Sequence, residues 1–408
     1  MPGTGCLAHN WAARQRRPTT QGRDALLRVR DQMQPDALLI IADSERDANM
    51  LYATGLFMPD PFIYLKARGR PLIVMSDLEI DRARAQAPHC RVVSLSACQQ
   101  KLLASGIKRP ALAHVVQRIL CERGVRRVAV PDDFPLGLAK DLEKLGLRVR
   151  ARSGTFFPER EIKSAAEVRN ISAALMMAEV GMSEAMQVLR RSKIGRDRKL
   201  LYHNLPLTSE KLRSVIDCAI LQASGLAANT IVAGGRQACD PHERGYGPLR
   251  ANELIIIDIF PRSQKTGYFG DITRTVVRGH ASDAARKLYH TVFQGQKIAF
   301  EKVRAGAPTA GVHKAVQQFF EQQGYRTGRR HGRMEGFFHG TGHGLGLEIH
   351  EAPRVGATST GRLRLGHVVT VEPGLYYPEI GGARLEDVAL VTNHGARNLT
   401  RFEKVLEI

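Results

Sequence analysis

The sequence has no apolar run of about 18 residues, which excludes a membrane-spanning helix as the sequence reads. Residues 1 to about 23 are rich in Arg, Gln and Thr and lack the apolar core of a signal peptide, so export is not expected. Aromatic residues are sparse, at 6% with a single Trp. The six cysteines (Cys6, Cys90, Cys98, Cys121, Cys218 and Cys239) show no short paired spacing. That argues against a zinc knuckle and for reduced thiols in a cytoplasmic setting. No repeat of solenoid period is visible. HGTGH at 339–343 lacks the Glu and the helix propensity of the HExxH zinc-protease pair.

What remains is a soluble-globular composition of 43% apolar and 25% charged residues over 408 positions, long enough for two domains. The formal charge is +20. Its basic residues are dispersed, and the clusters at Arg14–Arg17, Arg148–Arg152 and Arg326–Arg333 are short and poor in aromatics. The pattern argues against nucleic-acid binding and for a solvated basic surface.

From Leu26 to Arg152, buried strand-like runs (Ala37–Ile41, Phe62–Leu65, Leu72–Met75, Val128–Val130) alternate with helical stretches such as Ala111–Glu122. This is the pattern of an α/β layer domain. Past Pro158 the style changes. Ser164 and Glu167 have capping-box spacing, and Val168, Ile171, Leu175, Ala178, Met182 and Leu189 form one stripe, predicting a helix over 164–190. Further helices are predicted over 282–304 and 309–323, and strands over 253–259, 268–277, 368–372 and 386–392. Mixed order without a βαβ beat makes this part α+β. The expected organisation is a basic tail at 1–25, an α/β domain at 26–158 and an α+β domain at 159–408.

The second domain carries the chemistry. Asp258 ends the run LIII, and Asp271 returns inside the predicted strand 268–277. Either alone is also explained as a turn former at a strand end. FHGTGHGLGLEIHE (338–351) places three imidazoles among four glycines. Glu372 interrupts a valine-rich strand before Pro-Gly, and Glu386 follows what reads as a Gly-Gly turn. A carboxylate in such a strand is costly to bury unless paired or bound to metal. Four carboxylates in one cavity would each take up a proton unless cations lay between them. Asp258, Asp271, His343, Glu372 and Glu386 are therefore a candidate ligand set for two divalent ions.

These motifs, in this order and with these glycine and proline neighbours, resemble the pita-bread metallopeptidases: Xaa-Pro dipeptidase (prolidase), Xaa-Pro aminopeptidase, methionine aminopeptidase and creatinase. The likeness is dense over 161–408 and weaker over Asp43–Gly55, where Asn49, Tyr52, Thr54 and Gly55 echo the family's N-terminal, creatinase-like domain. The resemblance implies a pita-bread catalytic domain in which Asp258 binds one ion, His343 and Glu372 the other, and Asp271 and Glu386 bridge them. Glu372 would move the proton of the attacking water. His242 and His350 would hold the substrate and stabilise the tetrahedral intermediate, and His339 and Arg384 would line the pocket on the leaving side. Phe338, Tyr376 and Tyr377 are candidates for an apolar pocket. The implied substrate is a small peptide with proline at the second position, the implied assembly a homodimer.

The family spaces its aspartates by eleven residues, whereas Asp258 and Asp271 are thirteen apart. An even insertion keeps both side chains on one face, although the rim near Arg262–Lys265 is then expected to differ. The preferred reading is Xaa-Pro dipeptidase, ahead of Xaa-Pro aminopeptidase. A non-catalytic pita-bread binding module or a metal-free creatinase-like hydrolase would predict replaced ligands, and none is replaced. Oxygen-rich ligation with one imidazole suits Mn²⁺, with Co²⁺ or Zn²⁺ also compatible.

Overall fold

The computed structural model of the protein describes residues 35–408. The basic tail 1–25, and Cys6 within it, lie outside the described residues. By internal contacts the described chain forms two compact units, 35–42 with 60–154 and 43–59 with 155–408.

The first unit is a six-stranded sheet. Its strands are β1 (Ala37–Ala42), β2 (Phe62–Lys66), β3 (Leu72–Met75), β4 (Arg91–Ser94), β5 (Arg127–Val130) and β6 (Arg148–Ala151), in spatial order β4-β3-β2-β1-β5-β6. The β1/β2 and β2/β3 pairs are antiparallel, and the others are parallel. Leu39, Ile41, Ile63, Leu65, Val74, Val128 and Val130 share a core with Leu102, Val115, Val116, Leu120 and Leu142 from the covering helices. The continuous apolar runs of the sequence are explained by strands buried on both faces.

The second unit pairs two helix layers with two sheets. The helix Ala165–Arg191 begins as its sequence dictates, with Ser164 and Glu167 each bonding the other's backbone N–H. It packs with the helix Ser209–Gln222 on an antiparallel sheet of Ile231–Gly234, Ile255–Ile259 and Ile272–Val276. The helices Asp283–Lys302 and Thr309–Gln322 cover a second, five-stranded antiparallel sheet. Its order is Glu351–Val355, Gly342–Gly344, Val368–Val371, Asp387–Thr392 and Gly395–Asn398. The segment 43–59 belongs with this unit, where Ala48 and Leu51 share a core with Val168, Ile171, Leu175, Leu345 and Leu347.

Strand alternation decides what faces the helices and what does not. Ile255, Ile257, Ile259, Ile272 and Val276 lie in the helix-backed core of the first of these sheets, and Val369, Val371, Ala389 and Val391 in that of the second. The residues between them, Asp258, Thr273 and Thr370, are left for the opposite face.

Two sequence expectations need correction. Asp271 is not inside a strand: the regular ladder starts at Ile272, because residues 263–268 close on themselves through Ser263 N–H to Tyr268 O and Phe269 N–H bonds Gly346 O instead. Gly381 and Gly382 form no turn. They are part of the strand Gly381–Arg384, paired with Gly374–Tyr377. Glycine is needed there for close approach, since a Cβ on Gly382 would sit 2.1 Å from the Ala238 carbonyl oxygen. The helix Ser209–Gln222 was not anticipated from its sequence.

Candidate metal centre

One cavity of about 960 Å³ is lined by all the expected site residues: Asp258, Asp271, His343, Glu372, Glu386, His242, His350, His339 and Arg384. Asp258 is the penultimate residue of its strand and lies opposite Thr273, and Asp271 stands two residues before Thr273 and so on the same face. Glu386 meets them from the other sheet. Its N–H donates to Thr273 O at 3.1 Å, and Thr273 Oγ1 donates to Glu386 Oε2 at 2.7 Å. Glu372 follows the strand Val368–Val371 and receives Thr370 Oγ1 at 3.4 Å. His343 occupies the centre of Gly342–Gly344, and the glycine before it is required. A Cβ on Gly342 would lie 1.9 Å from the Thr370 carbonyl oxygen, so only glycine lets the His343 strand lie this close to the Glu372 strand.

His343 fixes the chemistry. Burial first, then the neighbouring His350, lowers its pKa to about 3, so the ring is neutral. Its Nδ1 is 3.1 Å from Gly344 O, which can only accept, so Nδ1 carries the proton and Nε2 a bare lone pair. That lone pair faces Glu372 Oε1 at 3.3 Å and Asp271 Oδ2 at 3.8 Å. Ligand atoms of Asp271, His343 and Glu386 all lie within 4.8 Å of one another.

The carboxylates are strained electrostatically. Burial, then the charges of Glu386, Asp258 and Glu372, raises the Asp271 pKa well above its usual range. Burial, Glu372 and Asp258 do the same to Glu386. Burial lifts Glu372 to about 7, with Asp258 adding to the effect and Arg384 opposing it. Asp258 Oδ1 and Glu386 Oε1 are buried without a hydrogen-bond partner among the described residues. Five donor side chains line one cavity, and two carboxylate oxygens are orphaned. This donor set fits hard or borderline divalent ions.

A second network flanks the acids. Arg384, 3% exposed, donates to Asp258 Oδ2 at 2.8 Å and to Tyr376 Oη at 2.9 Å. Burial opposes its charge, but Tyr376, Asp258 and Glu372 outweigh this and raise its pKa. His339, lowered to about 3 by burial and then Arg384, is neutral. Its Nδ1 donates to Gly340 O at 2.8 Å, so Nε2 accepts from the Tyr376 hydroxyl at 2.9 Å. The chain Arg384, Tyr376, His339, Gly340 is thus fully directed, and His339 contributes its ring face and position. The His350 ring packs on His343 with centroids 4.4 Å apart. Phe338 lines the cavity and packs on Tyr376 at 5.3 Å. Tyr377 does not line it: its hydroxyl bonds Arg326 O and its ring packs on Tyr325, because alternation sends it to the other side of the strand from Tyr376.

The longer connection between the aspartates is used. Arg262 donates to Glu45 O and to Gly267 O, and its guanidinium lies 5.8 Å from the Phe57 ring. Sequence reasoning also passed over Arg354, which lines the cavity opposite His343 in the strand register. Its place after His-Glu-Ala-Pro was the available signal.

Residues 169–393, more than half of the chain, match the model of metallopeptidase family M24. An Xaa-Pro dipeptidase of Pyrococcus horikoshii is 29% identical over 286 residues, covering 69% of this chain and 75% of that protein. Among solved structures, an Xaa-Pro dipeptidase from Bacillus anthracis superposes with a TM-score of 0.77 at 22% identity, over 94% of this chain and 98% of that one. An X-Pro aminopeptidase from Thermotoga maritima superposes with a TM-score of 0.76 at 20% identity, over 93% and 100%. At these identities the structural likeness is one of fold.

Proposed function

The chain belongs to metallopeptidase family M24 and has its pita-bread fold, and from this premise we propose that it is a metal-dependent Xaa-Pro dipeptidase. The observation that carries the reading is the bare Nε2 of His343 facing two carboxyl oxygens, with Asp258 Oδ1 and Glu386 Oε1 unpartnered beside it. Asp258, Asp271, His343, Glu372 and Glu386 would hold two divalent ions. When bound, such a pair lowers the pKa of water and polarises the scissile carbonyl.

The chain's own residues supply the rest. Glu372 is a buried carboxyl that accepts from Thr370 Oγ1 and faces His343 Nε2 in the cavity, a position suited to taking a proton from water and passing it to the leaving nitrogen. An Xaa-Pro bond leaves a nitrogen without a hydrogen, so the site needs no acceptor for it and must deliver a proton instead. His242 and His350 line the cavity and are proposed to hold the substrate carbonyl as charge develops. Phe338 offers an apolar surface to a proline ring. Arg384, by holding Asp258 Oδ2, leaves Oδ1 to be the ligand atom.

Arg354 favours a dipeptide. It lines the cavity, is exposed, and its guanidinium has no hydrogen-bond or ion-pair partner among the described residues. A free cation there matches the carboxylate of a C-terminal proline. Mn²⁺ is proposed as the working ion on the oxygen-rich donor set. The homodimer and the cytoplasmic setting rest on the family resemblance and on cysteine usage. No helix among the described residues is long and apolar enough to cross a membrane.

The test is a Mn²⁺-replete assay of Ala-Pro against Ala-Pro-Ala. Cleavage of Ala-Pro alone is expected. Comparable cleavage of both would make the enzyme an aminopeptidase, and cleavage of neither would overturn the catalytic reading.

A further inference from the structure

Behind the acidic face, on the opposite side of the strand Ile272–Val276, lies Arg274, 1% exposed. A guanidinium has five N–H donors, and here each acceptor is accounted for. Nη1 donates to Thr273 O at 2.9 Å and Glu386 O at 2.7 Å. Nη2 donates to Asp387 Oδ1 at 2.9 Å and Phe402 O at 2.6 Å, and Nε to Glu403 O at 2.9 Å. The charge is met by Asp387, also 1% exposed, whose other oxygen takes Asn398 Nδ2 at 3.0 Å and Lys404 Nζ.

Two of these acceptors decide what the residue does. Thr273 and Glu386 are the pair whose side chains are joined at 2.7 Å in the acidic cavity and whose backbones are joined at 3.1 Å. The guanidinium clamps both carbonyls from behind, across the seam between the two sheets. No other side-chain hydrogen bond to the Glu386 backbone is present among the described residues. Ligand geometry tolerates about 0.5 Å of error, so a group that fixes the peptide on which the carboxylate is mounted would govern how well that carboxylate can serve as a ligand.

We propose that Arg274 is a positioning residue for Glu386, and that through it the C-terminal segment at Phe402–Glu403 helps to set ion affinity at the centre. This rests on the reading of Glu386 as a metal ligand. Arg274→Lys keeps the charge but replaces a five-donor fork by a single ammonium. Equilibrium dialysis with Mn²⁺ is expected to show one of two ions bound about 10- to 100-fold more weakly, the range for partners that orient ligands. At subsaturating Mn²⁺ the rate falls by a similar factor and excess Mn²⁺ restores it, whereas KM for the peptide moves about threefold or less. A purely structural role would instead lower the folded fraction and leave the affinity of the folded protein unchanged.

Wild type and Glu386→Ala are the references. If wild type binds no divalent ion, the metal-centre reading itself fails. If wild type binds two, Glu386→Ala loses one and folded Arg274→Lys binds as wild type, this inference alone fails. Should Arg274→Lys not fold, Phe402→Ala carries the test, since its half-buried ring lies 6.0 Å from the guanidinium. It is expected to weaken the same ion by about two- to fivefold, at the low end of such effects, and unaltered affinity overturns the proposal.

Discussion

The Nε2 of His343 lies 3.3 Å from Oε1 of Glu372, a lone pair directed at a carboxyl oxygen. Such a contact is favourable only with a cation or a proton between the two atoms. Without divalent ions the proton must serve, and this gives the protein a characteristic response to pH.

In chelator, the melting temperature should fall as pH rises from 6.5 to 8. The folded-state pKa of Glu372 is near 7 against an ordinary 4.5, and those of Asp271 and Glu386 are raised too. Over this window the folded state holds protons that the unfolded chain has released, so stability decreases with pH. The buried histidines act in the opposite sense wherever the unfolded imidazoles are still partly protonated, up to about pH 7, so the fall is clearest toward the alkaline end of the window. Excess Mn²⁺ at pH 8 should abolish it, and a flat profile in chelator would contradict the electrostatic account.

Glu372→Ala should reduce kcat by about 10²- to 10⁴-fold, the range for a positioned acid–base group. Its circular dichroism should match wild type. A variant with near-normal turnover would remove Glu372 from the proposed mechanism.

Arg354→Ala should raise KM for Ala-Pro by about 10- to 100-fold, as expected for a lost hydrogen bond to a charged group. KM for the amide Ala-Pro-NH₂ should change far less, because it has no carboxylate to lose. Equal effects on both substrates would place the guanidinium elsewhere in the reaction.

Glu351→Ala should cost about 3–5 kcal/mol in urea unfolding, because it strips a buried cation pair of its counter-charge. Glu351 accepts from Arg160 and Lys163, whose side chains are 5% and 2% exposed, and from the N–H groups of Leu347 and Glu348. Glu351→Gln is expected to cost less. The comparison separates lost charge from lost shape.

The site was more legible in the sequence than the sheets that carry it. Acids inside valine runs stand out because burial there is expensive, and that marks Glu372, whereas Asp258 taken alone also reads as a turn former and gains meaning only beside the other acids. The capping box at Ser164 and Glu167 announced its helix. The strands Gly342–Gly344, Gly374–Tyr377 and Gly381–Arg384 gave no such signal, since glycine has low strand propensity and was selected for close backbone approach. Ser209–Gln222 was passed over although Thr208 caps it and Leu212, Ile216 and Ile220 form its buried stripe. Arg354 could not be singled out among so many arginines until the fold turned its strand toward the cavity.

Asp258 and Asp271 reach the cavity from one sheet, and His343, Glu372 and Glu386 from the other, each sheet being backed by its own pair of helices. An ion held among them would therefore act as a rivet between two half-shells as well as a reagent. Starving the protein of divalent ions would be felt first along the Thr273–Glu386 seam, with amide exchange quickening at that join while the helix-backed cores stay closed.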